Sequence, residues 1–272
     1  MWRDYSPSGA GYRGRRTDKL SELNDLDTPD SNETPFWSPW ATVGWGLLVL
    51  TVFVVVQVMA TIVWGAMLSL TGCEIGVDAF TEHAAMNGDL VAIGALATGV
   101  VCSALVYFLV AVKSGSRPRD SLGLTPPGIA GLAKWIALTI GLIIVSAALT
   151  LALAKPIVPE FMTEIVHSAS VPALLWAAII VAAPFFEELF VRGFLLEGLR
   201  RGRVGDAGAI VITSLFWASI HLQYGMYEIG TIFIFGLVLG LARIGSRSVW
   251  VPIAMHMFAN LVATLEANVV TG

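Results

Sequence analysis

From Ala41 onward the chain is a succession of long apolar runs separated by short polar connections. A hydrocarbon core about 30 Å thick takes roughly 20 residues of helix to cross. Runs of that order are Ala41–Leu70, Asp89–Val112, Trp135–Leu153 and Val171–Gly193, the last continuing toward Arg200. Two shorter runs, Asp206–His221 and Ile229–Arg243, precede a final one at Val249–Val269. The pattern predicts an all-α, polytopic membrane helix bundle of about seven transmembrane helices. Between the second and third spans, Leu122–Lys134 holds a Pro126-Pro127 break and then a weakly amphipathic piece expected to lie on the surface. Three regions follow: a tail over 1–39, N-terminal transmembrane helices over 40–170, and a second transmembrane core over 171–269. The tail is rich in Ser, Gly, Pro, Asp and Arg and has too few aliphatic residues to fold alone, so disorder is expected there.

The charges orient this bundle. Connections assigned to the cytoplasm carry Lys113, Arg117, Arg119 and Lys134, then Arg200, Arg201 and Arg203, then Arg243 and Arg247. Those assigned outside carry Lys155 alone, and the stretch Thr71–Gly88 has Glu74, Asp78 and Glu82 but no Lys or Arg. Cytoplasmic loops collect Lys and Arg, so the N-terminus is expected inside and the C-terminus outside a plasma membrane. The first residues do not read as a cleavable signal peptide, because no apolar core follows the early arginines.

Composition agrees with a membrane protein and narrows the partners. Of 272 residues, 56% are hydrophobic and 13% charged, against about 25% charged in a soluble domain. The net charge of −4 comes with no basic stripe and no Gly-rich phosphate loop, so nucleic acid is not an expected partner. Cys73 and Cys102 have neither the number nor the spacing of a disulfide framework or a metal site. Gly236 with Gly240, and Gly44 with Gly46, read as places of close helix packing.

Chemistry concentrates in the second core. Pro184-Phe-Phe-Glu187-Glu188-Leu-Phe-Val-Arg192-Gly193 puts two carboxylates and a guanidinium into an otherwise apolar run. A charge at that depth costs several kcal/mol and by default marks function. Glu188 and Arg192 are four apart on a helix and share a face, so they can pair. Glu187 is turned about 100° away and has no such local partner. One carboxylate is therefore neutralised and the other is free for acid–base work, unless both belong to a structural ion-pair network. His221 ends the fifth run, and His256 and Asn260 share a face of the last span. Buried polar groups need partners, and the nearest available ones are each other, so convergence on one cavity is expected. A carboxylate beside an imidazole can activate water, and an imidazole with a side-chain amide can stabilise an oxyanion. Ser214 and Ser219 read as packing hydroxyls, since Ser219 and His221 are two apart and point to different sides. Two His and a carboxylate (Glu187, His221, His256) also match the ligands of hydrolytic zinc sites, without a His-Glu-x-x-His. A divalent metal such as zinc and a metal-free mechanism both stay open at this point.

Three motifs in order resemble those of the CPBP intramembrane proteases, which include type II CAAX prenyl endopeptidases and abortive-infection relatives. They are Glu187-Glu188-Leu-Phe-Val-Arg192-Gly193, Trp217-Ala-Ser-Ile-His221 and His256-Met-Phe-Ala-Asn260, and the resemblance covers about Val171–Ala267. Trp217 stands where that family usually has Phe, and Val191 where it often has Phe before the arginine. The resemblance implies that Glu187 with His221 activates water, that His256 and Asn260 hold the oxyanion, and that Glu188, Arg192 and Trp217 support them. It implies an endopeptidase acting on a membrane-associated peptide or protein near the cytoplasmic face. A non-proteolytic scaffold or immunity protein on the same fold, and a small transporter, are the other readings. One expectation sits awkwardly. Glu187 and His256 fall in the cytoplasmic half, while His221 falls about 22 Å from the start of its span at Asp206, which calls for a tilted or more deeply seated helix.

Overall fold

The computed structural model describes residues 36–70, 84, 86–113 and 115–271. The expected disordered tail, apart from residues 36–39, and most of the Thr71–Gly88 connection with Cys73 lie outside them. The described residues form helices and connections, with no strand among them. In chain order the helices are α1 (Pro39–Leu70), α2 (Gly88–Ala111), α3 (Pro118–Ser121), α4 (Ile129–Ala152), α5 (Glu160–Ser168), α6 (Pro172–Arg200), α7 (Gly205–Ser219), α8 (Met226–Ser246) and α9 (Trp250–Thr271).

Six of these, α1, α2, α4, α6, α8 and α9, are long and apolar enough to cross a membrane, and the chain is an integral membrane protein. These six and α7, the fifth expected span with 15 residues, come close to the expected count of about seven. At 1.5 Å per residue α7 is about 22 Å long and falls short of the hydrocarbon thickness. The amphipathic piece before the third span is not a separate element. Pro126 and Pro127 hold the chain extended, Gly128 caps the helix in an extended conformation, and α4 then starts directly at Ile129. The short α5 was not foreseen. Its Met162 and Ile165 are buried, and Glu160 lies in its first turn.

α6 runs through the middle of the bundle. Its Phe186, Phe190 and Phe194 stack along one face, with centroids 5.8 and 6.4 Å apart, and join the main apolar core with Val106, Leu122 and Met255. Small residues let the neighbours close on it. A Cβ on Gly46 of α1 would stand 2.8 Å from Leu195, and one on Gly99 of α2 would stand 3.1 Å from Ala182. Gly44 meets nothing within 4 Å and plays no such part. Between α7 and α8 the close approach is at Gly236 and Gly240. A Cβ on Gly236 would be 3.1 Å from Ser214 and 3.2 Å from Trp217, and one on Gly240 would be 2.9 Å from Ile210.

The helix is not regular along its length. Ala177–Ala182 and Leu189–Leu195 are wide turns in which hydrogen bonds reach five residues back. Ala183 N–H donates to the carbonyl of Ala178, and the next residue, Pro184, has no N–H to give. Neither residue therefore donates to the carbonyl of Ile179. The two wide turns bracket the short α-helical piece Ala183–Glu188 that carries the paired glutamates.

Candidate active site

Glu188 and Arg192 are fully buried and bonded, with Arg192 Nη1 donating to Glu188 Oε1 at 2.9 Å. The guanidinium also donates to the carbonyl of Gly236 at 3.3 Å and lies over the Trp217 ring at 4.5 Å. Gly236 thus serves twice: its bare Cα admits Trp217 and Arg192, and its carbonyl receives the arginine. Glu188 Oε1 takes a second bond at 3.0 Å, from Nδ1 of His256 on α9. One carboxylate oxygen therefore ties α6 to α9 as well as closing the i,i+4 pair.

Glu187 points the other way and is half-buried. Its partner comes from α7, not from its own helix: Trp217 Nε1 donates to Glu187 Oε2 at 2.6 Å. Trp217 also holds His221, whose Nδ1 lies 2.7 Å from the Trp217 carbonyl. A carbonyl only accepts, so Nδ1 carries the proton, and the neutral ring presents a bare Nε2. His221 sits just past the end of α7 with its ring folded back edge-on to Trp217, centroids 5.0 Å apart. Asn260 Nδ2 donates to the Ile179 carbonyl at 2.7 Å, the one left over at the first wide turn. The second amide proton of Asn260 remains for another acceptor.

The depth difficulty disappears with the turn between α6 and α7. Thirteen residues separate Glu187 from Arg200 on α6, and twelve separate Trp217 from Gly205 on α7. Both distances come to about 18–20 Å from the same end of the bundle, so carboxylate and indole meet without a strong tilt. Arg200 Nε donates to Asp206 Oδ1 at 2.7 Å and fixes that turn.

Glu187, Trp217, His221, His256 and Asn260 all line one cavity of about 1050 Å³. Glu188 and Arg192 do not line it; they lie buried behind its wall. Tyr224, unremarked in the sequence reading, also lines it and stacks on His221 at 6.2 Å and 20°. Its signal was an aromatic hydroxyl three residues past the histidine. Burial first, and the Glu187 carboxylate second, push the Tyr224 phenol above its usual range and keep it protonated.

Among the described residues, no three His, Cys, Asp or Glu side chains stand close enough together to hold an ion. Trp217 holds one oxygen of Glu187, and Glu188 holds Nδ1 of His256.

Comparison with known proteins places the same stretch. Residues 169–262 match the family model described as type II CAAX prenyl endopeptidase Rce1-like. An uncharacterized 24.3 kDa protein of Escherichia coli is 34% identical over 119 residues, which is 42% of this chain and 54% of that protein. The chain thus spans about half the length of that curated relative. No solved structure matches. The segment 169–262, which holds all three polar motifs and the helices that bring them together, is similar to the Rce1-like type II CAAX prenyl endopeptidases.

Proposed function

We propose that this chain is an intramembrane endopeptidase that hydrolyses a peptide bond of a membrane-associated protein or peptide by metal-free attack of water, in a plasma membrane with its N-terminus in the cytoplasm. One observation carries the reading: five polar side chains from three separate parts of the chain line a single cavity inside an apolar bundle, with a buried ion pair behind them. Groups that costly at that depth are kept for function.

Glu187 and the bare Nε2 of His221 are the acceptors available to take a proton from water. The water oxygen adds to the scissile carbonyl carbon and the carbonyl π pair moves onto oxygen. That oxyanion is met by Nε2–H of His256 and by the second amide proton of Asn260. Donation from both nitrogens of His256 needs the doubly protonated ring, whose charge the Glu188 carboxylate offsets at 3.0 Å. Collapse breaks the C–N bond, and the proton first taken from water leaves with the amine. Arg192 holds Glu188 in place, and Trp217 holds both Glu187 and His221.

The test compares protein termini in membranes containing the wild-type chain with membranes containing Glu187→Gln at matched levels. New termini found only with wild type are the expected result. Identical termini from a folded mutant would move the reading to a scaffold, and loss of solute uptake instead would move it to a carrier.

A further inference from the structure

The cavity is one-sided, and the side matters. Its deep end is the level of Glu187, Trp217 and His256. From there the described lining comes from the C-terminal parts of α1, α4 and α9, the N-terminal parts of α2, α6 and α8, α5, and the connections before α2, after α4 and after α7. Hydrogen bonds fix these as one end of the bundle. Gly88 N–H donates to Ser168 Oγ, Ser170 N–H to Asp89 Oδ1, and Thr150 shares a hydrogen bond with Tyr227. The lining runs out to Ile157 and Met226, which are 43% and 83% exposed.

At the other end no described residue lines the cavity. There Trp217 forms the floor with the buried Glu188–Arg192 pair behind it, and beneath them Ser248 Oγ donates to the Thr125 carbonyl and Val249 N–H to that of Gly123. That closed end holds nearly all the described cationic charge. Arg200, Arg201 and Arg243 gather around Glu197 within 3.5 Å, and Lys113, Arg117, Arg119, Lys134, Arg203 and Arg247 lie on the connections and helix ends of the same side. The open end has one described Lys or Arg, Lys155, against Asp89, Glu160, Glu164, Glu228 and Glu266. Loops rich in Lys and Arg stay in the cytoplasm.

We infer that the site is entered from the extracytoplasmic side, and that its substrate is an extracytoplasmic, membrane-proximal protein segment, not a prenylated C-terminus presented from the cytoplasm. This rests on the endopeptidase reading for the cleavage and on charge and cavity shape alone for the side of entry. It replaces the expectation of hydrolysis near the cytoplasmic face. His256 lies in the cytoplasmic half of α9, yet the closed floor bars access from that face. The carboxylates at the mouth, Glu228 and Glu266, would also attract segments that carry Lys or Arg.

The side is read first, without any need for activity. In a Cys73→Ser, Cys102→Ser chain, Ile157→Cys reports the mouth and Arg203→Cys the opposite end. A doubly charged maleimide that does not cross membranes should label Ile157→Cys in right-side-out vesicles and Arg203→Cys in inverted ones. The reverse pattern overturns the inference. The second readout is the position of cuts made by wild type and lost in Glu187→Gln. Cuts in extracytoplasmic segments support the inference, and cuts in cytoplasmic C-termini overturn it. Outside labelling of Ile157→Cys with no cut anywhere upholds the side of entry and removes the endopeptidase reading instead.

Discussion

The pair Glu188–Arg192 makes the sharpest demand on stability. Both side chains have no solvent exposure, and Arg192 has three partners: Glu188 at 2.9 Å, the Gly236 carbonyl at 3.3 Å and the Trp217 ring at 4.5 Å. Removing one member of a buried ion pair costs about 3–5 kcal/mol, because the other charge is left uncompensated. Glu188→Met and Arg192→Met should each destabilise by that amount. Independent effects would bring the double variant to about 6–10 kcal/mol. Replacing both members together removes both charges, and buried pairs exchanged for apolar residues are often close to neutral. What remains is the cost of His256, whose Nδ1 loses its acceptor, at about 1–3 kcal/mol.

The double variant should therefore be more stable than either single one, with a coupling of several kcal/mol. The assay is reversible denaturant unfolding of the purified protein in micelles, on all four members of the cycle. Additive losses would refute the idea that each charge is compensated chiefly by the other. Recovery of stability must not bring back cleavage, because His256 is then unsupported. A double variant that both folds and cleaves would show the pair to be structural alone.

Two further outcomes follow from single contacts. Trp217→Phe removes the indole donor on Glu187 at 2.6 Å while keeping the aromatic packing. If that charged hydrogen bond of about 1.5–3 kcal/mol acts in the transition state, kcat/KM falls about 10–150-fold with little change in melting temperature. Gly236→Ala drives a methyl to within 3.2 Å of Arg192 and Trp217 and should cost about 1–3 kcal/mol in melting experiments. Gly44→Ala, with nothing within 4 Å, should leave the melting temperature unchanged or slightly raised.

What could be read from the sequence was what violates the membrane environment. Glu187, Glu188, Arg192, His221, His256 and Asn260 stand out because each is polar in an apolar run, and the i,i+4 spacing of Glu188 and Arg192 already specifies their bond. The apolar periodicity also located the spans, with α7 flagged as short. Other features have no local signature. The partner of Glu187 is an indole on another helix, visible only once α6 and α7 are folded back at Arg200–Asp206. Glu187 and His221 were expected at different depths because the two spans were counted separately, whereas α6 runs on to Arg200 and both helices leave the same turn and keep level. The wide turns escaped because hydrogen-bond register depends on which carbonyls find partners elsewhere. The direction in which the cavity opens is a property of all the helices together.

Pro184 shows how one residue can set the register of two helices. Buried in an apolar bundle, an unpaired carbonyl costs several kcal/mol. The proline cannot donate and Ala183 donates five residues back, so the Ile179 carbonyl must be met from outside α6. Asn260 meets it at 2.7 Å, and that bond fixes the height of α9 against α6. His256, one turn away on the same face, then arrives at Glu188. Catalytic geometry would thus depend on a missing N–H. Asn260→Ala should cost about 1–3 kcal/mol in the wild-type background, since it strips a buried carbonyl of its donor. In a Pro184→Ala background, residue 184 supplies an N–H along α6 and Ile179 no longer needs the amide. There the cost of Asn260→Ala should fall close to zero. The measurement is again a four-member unfolding cycle, read beside cleavage by Pro184→Ala alone, which should drop as α9 loses its anchor. An Asn260→Ala cost that is the same in both backgrounds would mean that Asn260 does not compensate for the proline, and that the register of α9 is set by packing.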